Sequence, residues 1–431
     1  MIRLWKFVLP VVYVLMMAFP VAAQGPAVGP SFIMTLTNPL AIVRPDEPMV
    51  WRRADLEKKM GPIHAGKFIR ITEENGAPVI VQFDDLDRDG QWDEIFWLHS
   101  FQPMESLHVR VMIADAPAAI KAVVRAHVRM RAKNEGNNFG PDLDSAVMPV
   151  HNQPTDFSVH RLPPWLTEGP GWENDKVAYR LYFDTRNDKD IYGKRIPAMV
   201  MDEVGTDPDK SYHELADWGM DILKVGTSLG AGALAVLVPR EGKKDSLVRL
   251  GGLGVKRETF RKISDGPLRA VFRMDYEWEL EGRPVIVTEE MSISGGQYYY
   301  TSKVTVNGAP NGSRLVTGIA NFYSNSPGNF GEDNAEVLYS HGRQSENKDM
   351  LGMAILTGKS DFSSFRSLPA SGAEVTSTYT ISQYIRKDNP LYFRFYTGWE
   401  KTDTGFASPE YFINMLKIEA DKFSHPVQVQ W

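Results

Sequence analysis

The sequence predicts a mainly β protein: an antiparallel β-sandwich with a small N-terminal β region and a C-terminal helix. Long stretches alternate apolar and polar residues with a period of two, and Gly- and Pro-rich turns separate them. In the clearest stretch, residues 269–278, apolar side chains at Ala270, Phe272, Met274, Tyr276 and Trp278 alternate with mostly charged ones. This pattern is typical of a strand that buries one face.

The same pattern continues along the chain and predicts a meander of long strands. Residues 281–284 form a turn, residues 285–293 alternate again, and Gly295 and Gly296 turn the chain into a further strand over 298–306. Near the C-terminus, Ser408 is a helix N-cap and Pro409 occupies the first helical position, ahead of an apolar face. That face consists of Phe412, Met415 and Leu416.

The first 23 residues have the pattern of a cleavable signal peptide. Arg3 and Lys6 precede an apolar run over 7–19, and small residues stand ahead of Gln24. A membrane anchor is the alternative, but the run is shorter than the roughly 20 apolar residues of a spanning helix. We therefore expect an N-terminal β region over 24–117, a large β-sandwich domain over 118–431, and no membrane span after cleavage.

The amino-acid composition limits the cellular compartments and the binding partners that suit this protein. The 431 residues include no cysteine, which excludes disulfides, zinc–thiolate sites and a cysteine nucleophile. Loss of Arg3 and Lys6 takes the net charge from -6 to -8, and no basic run offers a nucleic acid a phosphate-binding patch. These features favour a periplasmic or secreted protein that does not bind nucleic acid.

Residues 84–94 form the most distinctive acidic segment. Five acidic residues approach the spacing of a calcium-binding loop, with Gly90 at the sharp turn: Asp85, Asp87, Asp89, Asp93 and Glu94. Position twelve of such a loop is Phe96 here rather than a bidentate glutamate. A structural calcium site and a metal-free hairpin turn, whose aspartates bond their own backbone, are both compatible with this segment.

The segment 212–230 concentrates groups that could perform chemistry. It contains Tyr212, His213, Glu214, Trp218, Asp221 and Lys224 ahead of a glycine-rich apolar strand that continues to Val238. A solvated turn with Trp218 in the core is the simpler interpretation. The density of titratable residues beside a tryptophan nevertheless favours a functional site.

Upstream, residues 179–186 alternate as a strand that presents Arg180, Tyr182 and Asp184 on one face. Arg180, together with Lys194 and Arg195 of the next polar loop, is suited to binding a carboxylate or sulfate. His151 and His160 lie in a proline-rich stretch over 136–170, which we interpret as a long loop or lid, and we expect both to be surface residues.

Several motifs are missing from the sequence. It contains no Gly-x-Ser-x-Gly elbow, no His-Glu-x-x-His, no Walker loop and no dinucleotide fingerprint after a strand. Serine hydrolase, zinc protease, nucleotide and nicotinamide chemistry are therefore disfavoured, and the chemistry is expected to need no cofactor.

Six segments together resemble the domain-of-unknown-function 4861 family: the signal peptide, the acidic run 84–94, the loop 190–195, the stretch 218–230, the strand entry 266–269 and Gly398-Trp399. The resemblance covers nearly all of the mature chain. Members of that family are exported bacterial proteins commonly encoded beside polysaccharide-degrading enzymes, which implies a carbohydrate substrate. The strand pattern over 269–306 also resembles the galactose-mutarotase-like supersandwich, a fold shared by sugar epimerases and several polysaccharide lyases.

We therefore expect an exported carbon–oxygen lyase, either a polysaccharide lyase or an oligosaccharide dehydratase, that acts on acidic oligosaccharides. Proton abstraction beside a carboxylate needs a base, a cation and an acid. His213 is the candidate base, Lys224 or Arg180 the cation, and Tyr179 or Tyr212 the acid, with substrate contacts from Trp218, Arg195, Lys194, Glu214 and Asp221. The alternatives are a glycoside hydrolase or epimerase that uses Glu214, Asp217 or Asp221, and a non-catalytic carbohydrate-binding protein.

Overall fold

A computed structural model describes residues 31–136, 138–324 and 326–431. The predicted signal peptide lies outside these ranges. Within them the chain is mainly antiparallel β-structure with a helix near the C-terminus, which confirms the predicted fold class.

The N-terminal region forms two small sheets, which pack on each other through their own apolar core. The core includes Met34, Trp51, Ile71 and Trp97. The elements of this region are β1 (Ser31–Thr37), β2 (Arg44–Arg52), α1 (Arg53–Met60), β3 (Phe68–Glu73), β4 (Gln82–Asp84), β5 (Glu94–Phe101) and β6 (Ser106–Ala114). The sequence did not predict α1, because this short helix buries only Leu56 and has no side-chain N-cap.

The middle of the chain forms a five-stranded sheet, in the order β14-β13-β12-β11-β7, that we call the site sheet. The strands of this part of the chain are β7 (Ala126–Arg129), β8 (Arg131–Lys133), β9 (Phe139–Asp142), β10 (Ser145–Val147), β11 (Gly171–Asn174), β12 (Val177–Leu181), β13 (Lys189–Lys194) and β14 (Gly219–Asp221). The predicted loop over 136–170 contains two short strands, β9 and β10, and the predicted strand over 179–186 ends at Leu181.

The rest of the chain completes two further large sheets. Their strands are β15 (Ala231–Val238), β16 (Ser246–Arg249), β17 (Val255–Asp265), β18 (Arg269–Leu280), β19 (Arg283–Ser294), β20 (Tyr299–Asn307), β21 (Arg314–Ala320), β22 (Gly328–Glu332), β23 (Ala335–Gly342), β24 (Leu351–Gly358), β25 (Phe362–Ser367), β26 (Thr378–Tyr384) and β27 (Leu391–Trp399). The chain then forms α2 (Pro409–Ser424) and β28 (Gln428–Gln430), and β28 pairs with β1.

A nine-stranded sheet, in the order β10-β17-β18-β19-β20-β27-β24-β23-β22, is the centre of the sandwich. One of its faces packs against the site sheet and against a second five-stranded sheet, β16-β15-β21-β26-β25, through one continuous apolar core. The predicted apolar face of β18 is buried there, from Ala270 to Trp278. The opposite face is covered in part by α2, through Phe412 and Leu416.

The local chemistry of α2 agrees with the sequence. The Ser408 hydroxyl accepts a hydrogen bond from the backbone N–H of Tyr411 at 3.2 Å, and Pro409 is the first helical residue. A side-chain cap of this kind stabilises a helix by about 1 kcal/mol. The predicted C-terminal helix is confirmed, with its cap.

Candidate active site

Strand register in the site sheet brings two acidic side chains to one arginine. Arg180 of β12 is directly opposite Asp190 of β13, and Tyr192 of β13 is opposite Asp221 of β14. Side chains two residues apart on one strand share a face, so Asp190 and Tyr192 lie on the same side of the sheet. The pairing therefore gathers Arg180, Asp190 and Asp221 on one face.

Arg180 is 2% exposed and makes five side-chain contacts with nearby groups. Its Nη2 donates to Oδ2 of Asp190 at 2.7 Å and to Oδ2 of Asp221 at 3.0 Å. Its Nη1 donates to Oε2 of Glu168 at 3.3 Å and to the Tyr212 hydroxyl at 3.2 Å, while Tyr182 accepts from Nη2. These partners occupy the guanidinium, so Arg180 is enclosed within the cluster and holds its side chains in place.

Glu168 reaches Arg180 from a turn with unusual backbone geometry. Thr167 and Glu168 both have positive φ, 48° and 64°. Residues other than glycine adopt this conformation at a cost, and such positions cluster at functional sites. A second buried arginine, Arg129, holds this turn by donating to the carbonyl oxygens of Leu166 and Gly169, both at 2.8 Å.

His213 lies at the open edge of this cluster. Its Nδ1 is 3.5 Å from Oδ2 of Asp221, and its side chain is 59% exposed whereas that of Asp221 is only 2% exposed. The backbone N–H of Asp221 donates to the carbonyl of Tyr212 at 2.8 Å, which holds the 212–213 segment against β14. A buried carboxylate beside an exposed imidazole is the arrangement that orients a histidine as a general base.

The electrostatics of the pair follow from burial and from neighbouring charges. Burial raises the pKa of Asp221 well above its usual range, Asp190 adds to this effect, and Arg180 opposes it. Burial and the charge of Arg180 lower the pKa of His213. His213 is consequently a neutral imidazole at neutral pH, the form that can accept a proton.

Two exposed lysines lie near the end of β14. The Lys224 ammonium is 5.1 Å from the ring centroid of Phe322 and 5.5 Å from that of Tyr323, and the Lys348 ammonium is 3.0 Å from the Tyr323 ring. The backbone N–H of Glu346 donates to the carbonyl of Ile222 at 2.9 Å, which brings the loop that carries Lys348 beside β14. The two cations therefore converge on Tyr323 beside the strand that supplies Asp221.

The structure places the other predicted site residues in three environments. Tyr179 is fully buried in the sandwich core, where its hydroxyl bonds that of Thr397 at 3.0 Å, so it does not join the cluster. Lys194 is also buried and paired with Glu173. Arg195 is exposed and donates to the carbonyl of Ala216 at 3.0 Å, while Glu214 and Trp218 line a neighbouring cavity. His151 and His160 are exposed, as expected.

The acidic segment 84–94 forms a turn that is separate from the Arg180 cluster. Carboxylate oxygens of Asp85, Asp87 and Asp89 lie within 4.8 Å of one another, and the same side chains accept hydrogen bonds from backbone N–H groups of the turn. Asp93 accepts from the Leu86 amide at 2.6 Å, and Glu94 pairs with Arg269 at 3.1 Å. Only three of the five predicted ligands are therefore close together.

Sequence patterns missed several members of the cluster. Tyr182 was predicted to share a face with Arg180, whereas Asp190 could have been found only from strand pairing, because it lies directly opposite Arg180. Glu168 and Glu346 come from distant loops without a chemical motif; Glu168 pairs with Arg180, and the charge of Glu346 raises the pKa values of His213 and Asp221. Lys348, from the same loop as Glu346, lies against Tyr323.

The solved structures that resemble this chain show its fold alone. An α-mannosidase from Enterococcus faecalis V583 matches with a TM-score of 0.50 at 9% identity, over 93% of this chain and 46% of that one. A glycosyl hydrolase family 38 protein from E. faecalis has a TM-score of 0.48 at 9% identity, over 93% of this chain and 47% of that one. The chain thus spans about half the length of these proteins.

Sequence comparisons identify the family. An uncharacterized protein, P7, from Formosa agariphila is 22% identical over 299 residues, which is 64% of this chain and 64% of P7. The family described as a domain of unknown function, DUF4861, matches residues 36–429, which confirms the resemblance noted in the sequence. The chain belongs to the DUF4861 family.

Proposed function

We propose that this protein is a carbon–oxygen lyase that acts on an acidic oligosaccharide, with His213 as the general base. The observation that carries the proposal is the pair formed by an exposed imidazole and a buried carboxylate, Nδ1 of His213 lying 3.5 Å from Oδ2 of Asp221. Asp221 orients the ring and leaves Nε2 as the atom that accepts a proton. Arg180 in turn positions Asp221.

In the proposed reaction, Nε2 of His213 removes the proton from the carbon next to a uronate carboxylate. The electron pair of that C–H bond forms a carbon–carbon double bond, and the neighbouring C–O bond breaks. The leaving oxygen takes a proton from the hydroxyl of Tyr212, whose pKa is raised by burial so that it remains a phenol. The products are an unsaturated uronate and an alcohol, or water in the case of a dehydratase.

Negative charge develops on the carboxylate as the proton leaves, and a cation nearby stabilises it. Lys224 is suited to this role, because it is exposed and its ammonium lies beside Tyr323, which Lys348 also contacts. Arg180 is less suited to it, since its guanidinium is buried and shared among three carboxylates. We assign the stabilising charge to Lys224, with Lys348 as a second cation.

The test is incubation with a panel of uronate-containing oligosaccharides while the ultraviolet absorbance of a conjugated unsaturated uronate is followed. The wild-type protein should produce this absorbance, and His213→Ala should lower the rate about 10²- to 10⁴-fold, the usual contribution of a general base. The matched control is His160→Ala, which removes another exposed histidine and should retain the wild-type rate.

Mass spectrometry of the products distinguishes the alternatives. Reducing ends without a double bond would show a glycoside hydrolase, and an inverted sugar of unchanged mass would show an epimerase. If oligosaccharides bind and no product forms, the protein is a carbohydrate-binding protein and the lyase proposal is wrong.

A further inference from the structure

A cavity of about 740 Å³ lies beside the His213–Asp221 pair, because Tyr212 and Glu214, the chain neighbours of His213, line it. The segment between β13 and β14 forms its walls, which include Leu215 and Trp218. Its volume falls within the range of about 300–1,000 Å³ that is usual for sites of small ligands. The cavity can therefore accommodate a sugar residue.

Tyr212 connects this cavity to the proposed chemistry. Its ring forms part of the cavity wall and also lies 4.6 Å, centroid to centroid, from the ring of His213. Since Tyr212 is the group assigned to protonate the leaving oxygen, the cavity lies on the leaving-group side of the bond that breaks. Trp218, whose ring is 6.2 Å from that of Tyr192, offers a face for stacking.

The cavity is lined mainly by acidic side chains, whereas Lys224 and Lys348 are cations. The acidic side chains are Glu203, Asp207, Asp209 and Glu214, against a single lysine, Lys210. Asp207 pairs with Lys210 and Asp209 pairs with Arg161. Across the described ranges, neither Glu203 nor Glu214 forms an ion pair, and neither do Lys224 and Lys348.

A uronate in this cavity would face two uncompensated carboxylates, which repel its charge. The hydroxyl groups of an uncharged sugar, by contrast, can donate hydrogen bonds to the same carboxylates while its apolar face stacks on Trp218. The cavity therefore disfavours a uronate carboxylate, the group that Lys224 and Lys348 attract.

We propose that this cavity is a leaving-group subsite for an uncharged sugar, so that the substrate alternates uronate with uncharged residues and is not a homopolymer of uronate. The inference rests on the proposed lyase function, because the chemistry decides which side of the cavity faces the uronate. The lysines hold the uronate carboxylate, and Glu203, Glu214 and Trp218 hold its uncharged neighbour.

The experiment compares oligosaccharides in which glucuronate alternates with an uncharged hexose and homo-oligouronates of equal length. The wild-type protein should have a kcat/KM for the alternating series at least about tenfold above that for the homopolymer. The double variant Glu203→Gln/Glu214→Gln should reduce this ratio by raising kcat/KM for the homopolymer, since the repulsion is gone. Glu241→Gln, an exposed glutamate elsewhere, is the matched control and should retain the wild-type ratio.

Equal kcat/KM values for the two series, or a ratio unchanged in the double variant, would overturn the subsite assignment while leaving the lyase function intact. If neither series gives an unsaturated product, the lyase function fails, and calorimetric titration with the alternating oligosaccharide decides the subsite alone. Binding that weakens about tenfold in Trp218→Ala would then support the subsite, and unchanged binding would reject it.

Discussion

Two arginines of the site sheet, Arg129 of β7 and Arg180 of β12, are both almost completely buried, but their hydrogen-bond partners differ in charge. Arg129 donates to neutral oxygens: the carbonyls of Leu166, Gly169 and Met201, and the Thr167 hydroxyl. Burial lowers the pKa of Arg129 to about 10. Burial also opposes the charge of Arg180, but ionisable neighbours, foremost Tyr182, raise its pKa well above its ordinary value.

The difference separates an arginine that supports the backbone from one that lies at the centre of the candidate site. Arg129 fixes the backbone of the 166–169 turn, and this turn delivers Glu168 to Arg180. Arg180 binds three carboxylates, one of which, Asp221, contacts His213. A buried cluster of several acids around an arginine is costly to fold, and it is the kind of arrangement that the proposed chemistry would use.

The largest effect should come from removing each arginine in turn. Arg180→Met leaves the buried carboxylates of Asp190 and Asp221 without their cation, whereas Glu168 keeps Arg186, and the change should cost about 3–5 kcal/mol of unfolding free energy at pH 8. Burial already raises the pKa of Asp221, and removal of Arg180, whose charge opposes that shift, raises this pKa further. A carboxyl with a raised folded-state pKa stabilises the fold at low pH and loses that contribution as pH rises, so the deficit should shrink at pH 5.

Arg129→Met provides the contrast. It leaves buried neutral oxygens without a hydrogen bond, and each costs about 1–3 kcal/mol of unfolding free energy. Because these oxygens do not titrate, the loss should be the same at both pH values. Denaturant unfolding of both variants at pH 5 and pH 8 measures the difference. A deficit for Arg180→Met that is the same at both pH values would contradict the distinction drawn between the two arginines.

Tyr212→Phe should affect catalysis far more than stability. The change removes the hydroxyl that accepts from Arg180 and that is proposed to protonate the leaving group, so kcat should fall about 100-fold. The unfolding free energy should fall by only about 1 kcal/mol, the usual contribution of one hydrogen bond. Tyr384→Phe, at an exposed tyrosine of β26, is the control. Equal losses of kcat in the two variants would exclude Tyr212 as the acid.

The pH profile of the lyase reaction should report the lowered pKa of His213. Activity requires the neutral imidazole, so kcat/KM should rise with pH through a midpoint below the ordinary histidine value of about 6.5 and then level off. Asp190→Asn removes a negative charge that raises the pKa of His213, and it leaves more of the charge of Arg180 unopposed. The midpoint should therefore move to lower pH, and a movement to higher pH would contradict the electrostatic account.

The smallest effect is expected at the acidic turn, which has no arginine at its centre. The carboxylates of Asp85, Asp87 and Asp89 already accept backbone hydrogen bonds, so the turn should hold its shape without an ion. We expect saturating calcium, added after chelation, to change Tm by about 2 °C or less. A rise above about 5 °C in the wild type that disappears in Asp87→Ala would instead establish a structural calcium site.

Local pattern was sufficient to predict part of the site and much of the fold. The alternation over 269–278 placed Phe272 and Tyr276 in the core, and Ser408 with Pro409 marked the start of α2, because strand faces and helix caps depend on nearby residues. The grouping of Tyr212, His213 and Asp221 was also visible, since these residues are close in the sequence.

Tertiary structure alone decided the remainder, because side chains far apart in sequence meet only after the sheets have paired and packed. The sequence predicts Lys194 to be an anion-binding cation, yet in the structure it is buried and paired with Glu173 of another strand. The sequence likewise predicts Arg180 to bind a carboxylate or sulfate of the substrate, yet in the structure it pairs with Glu168, Asp190 and Asp221. The sequence by itself determined the strands, the caps and the residues available for chemistry, whereas register and packing decided which of those residues face the open site.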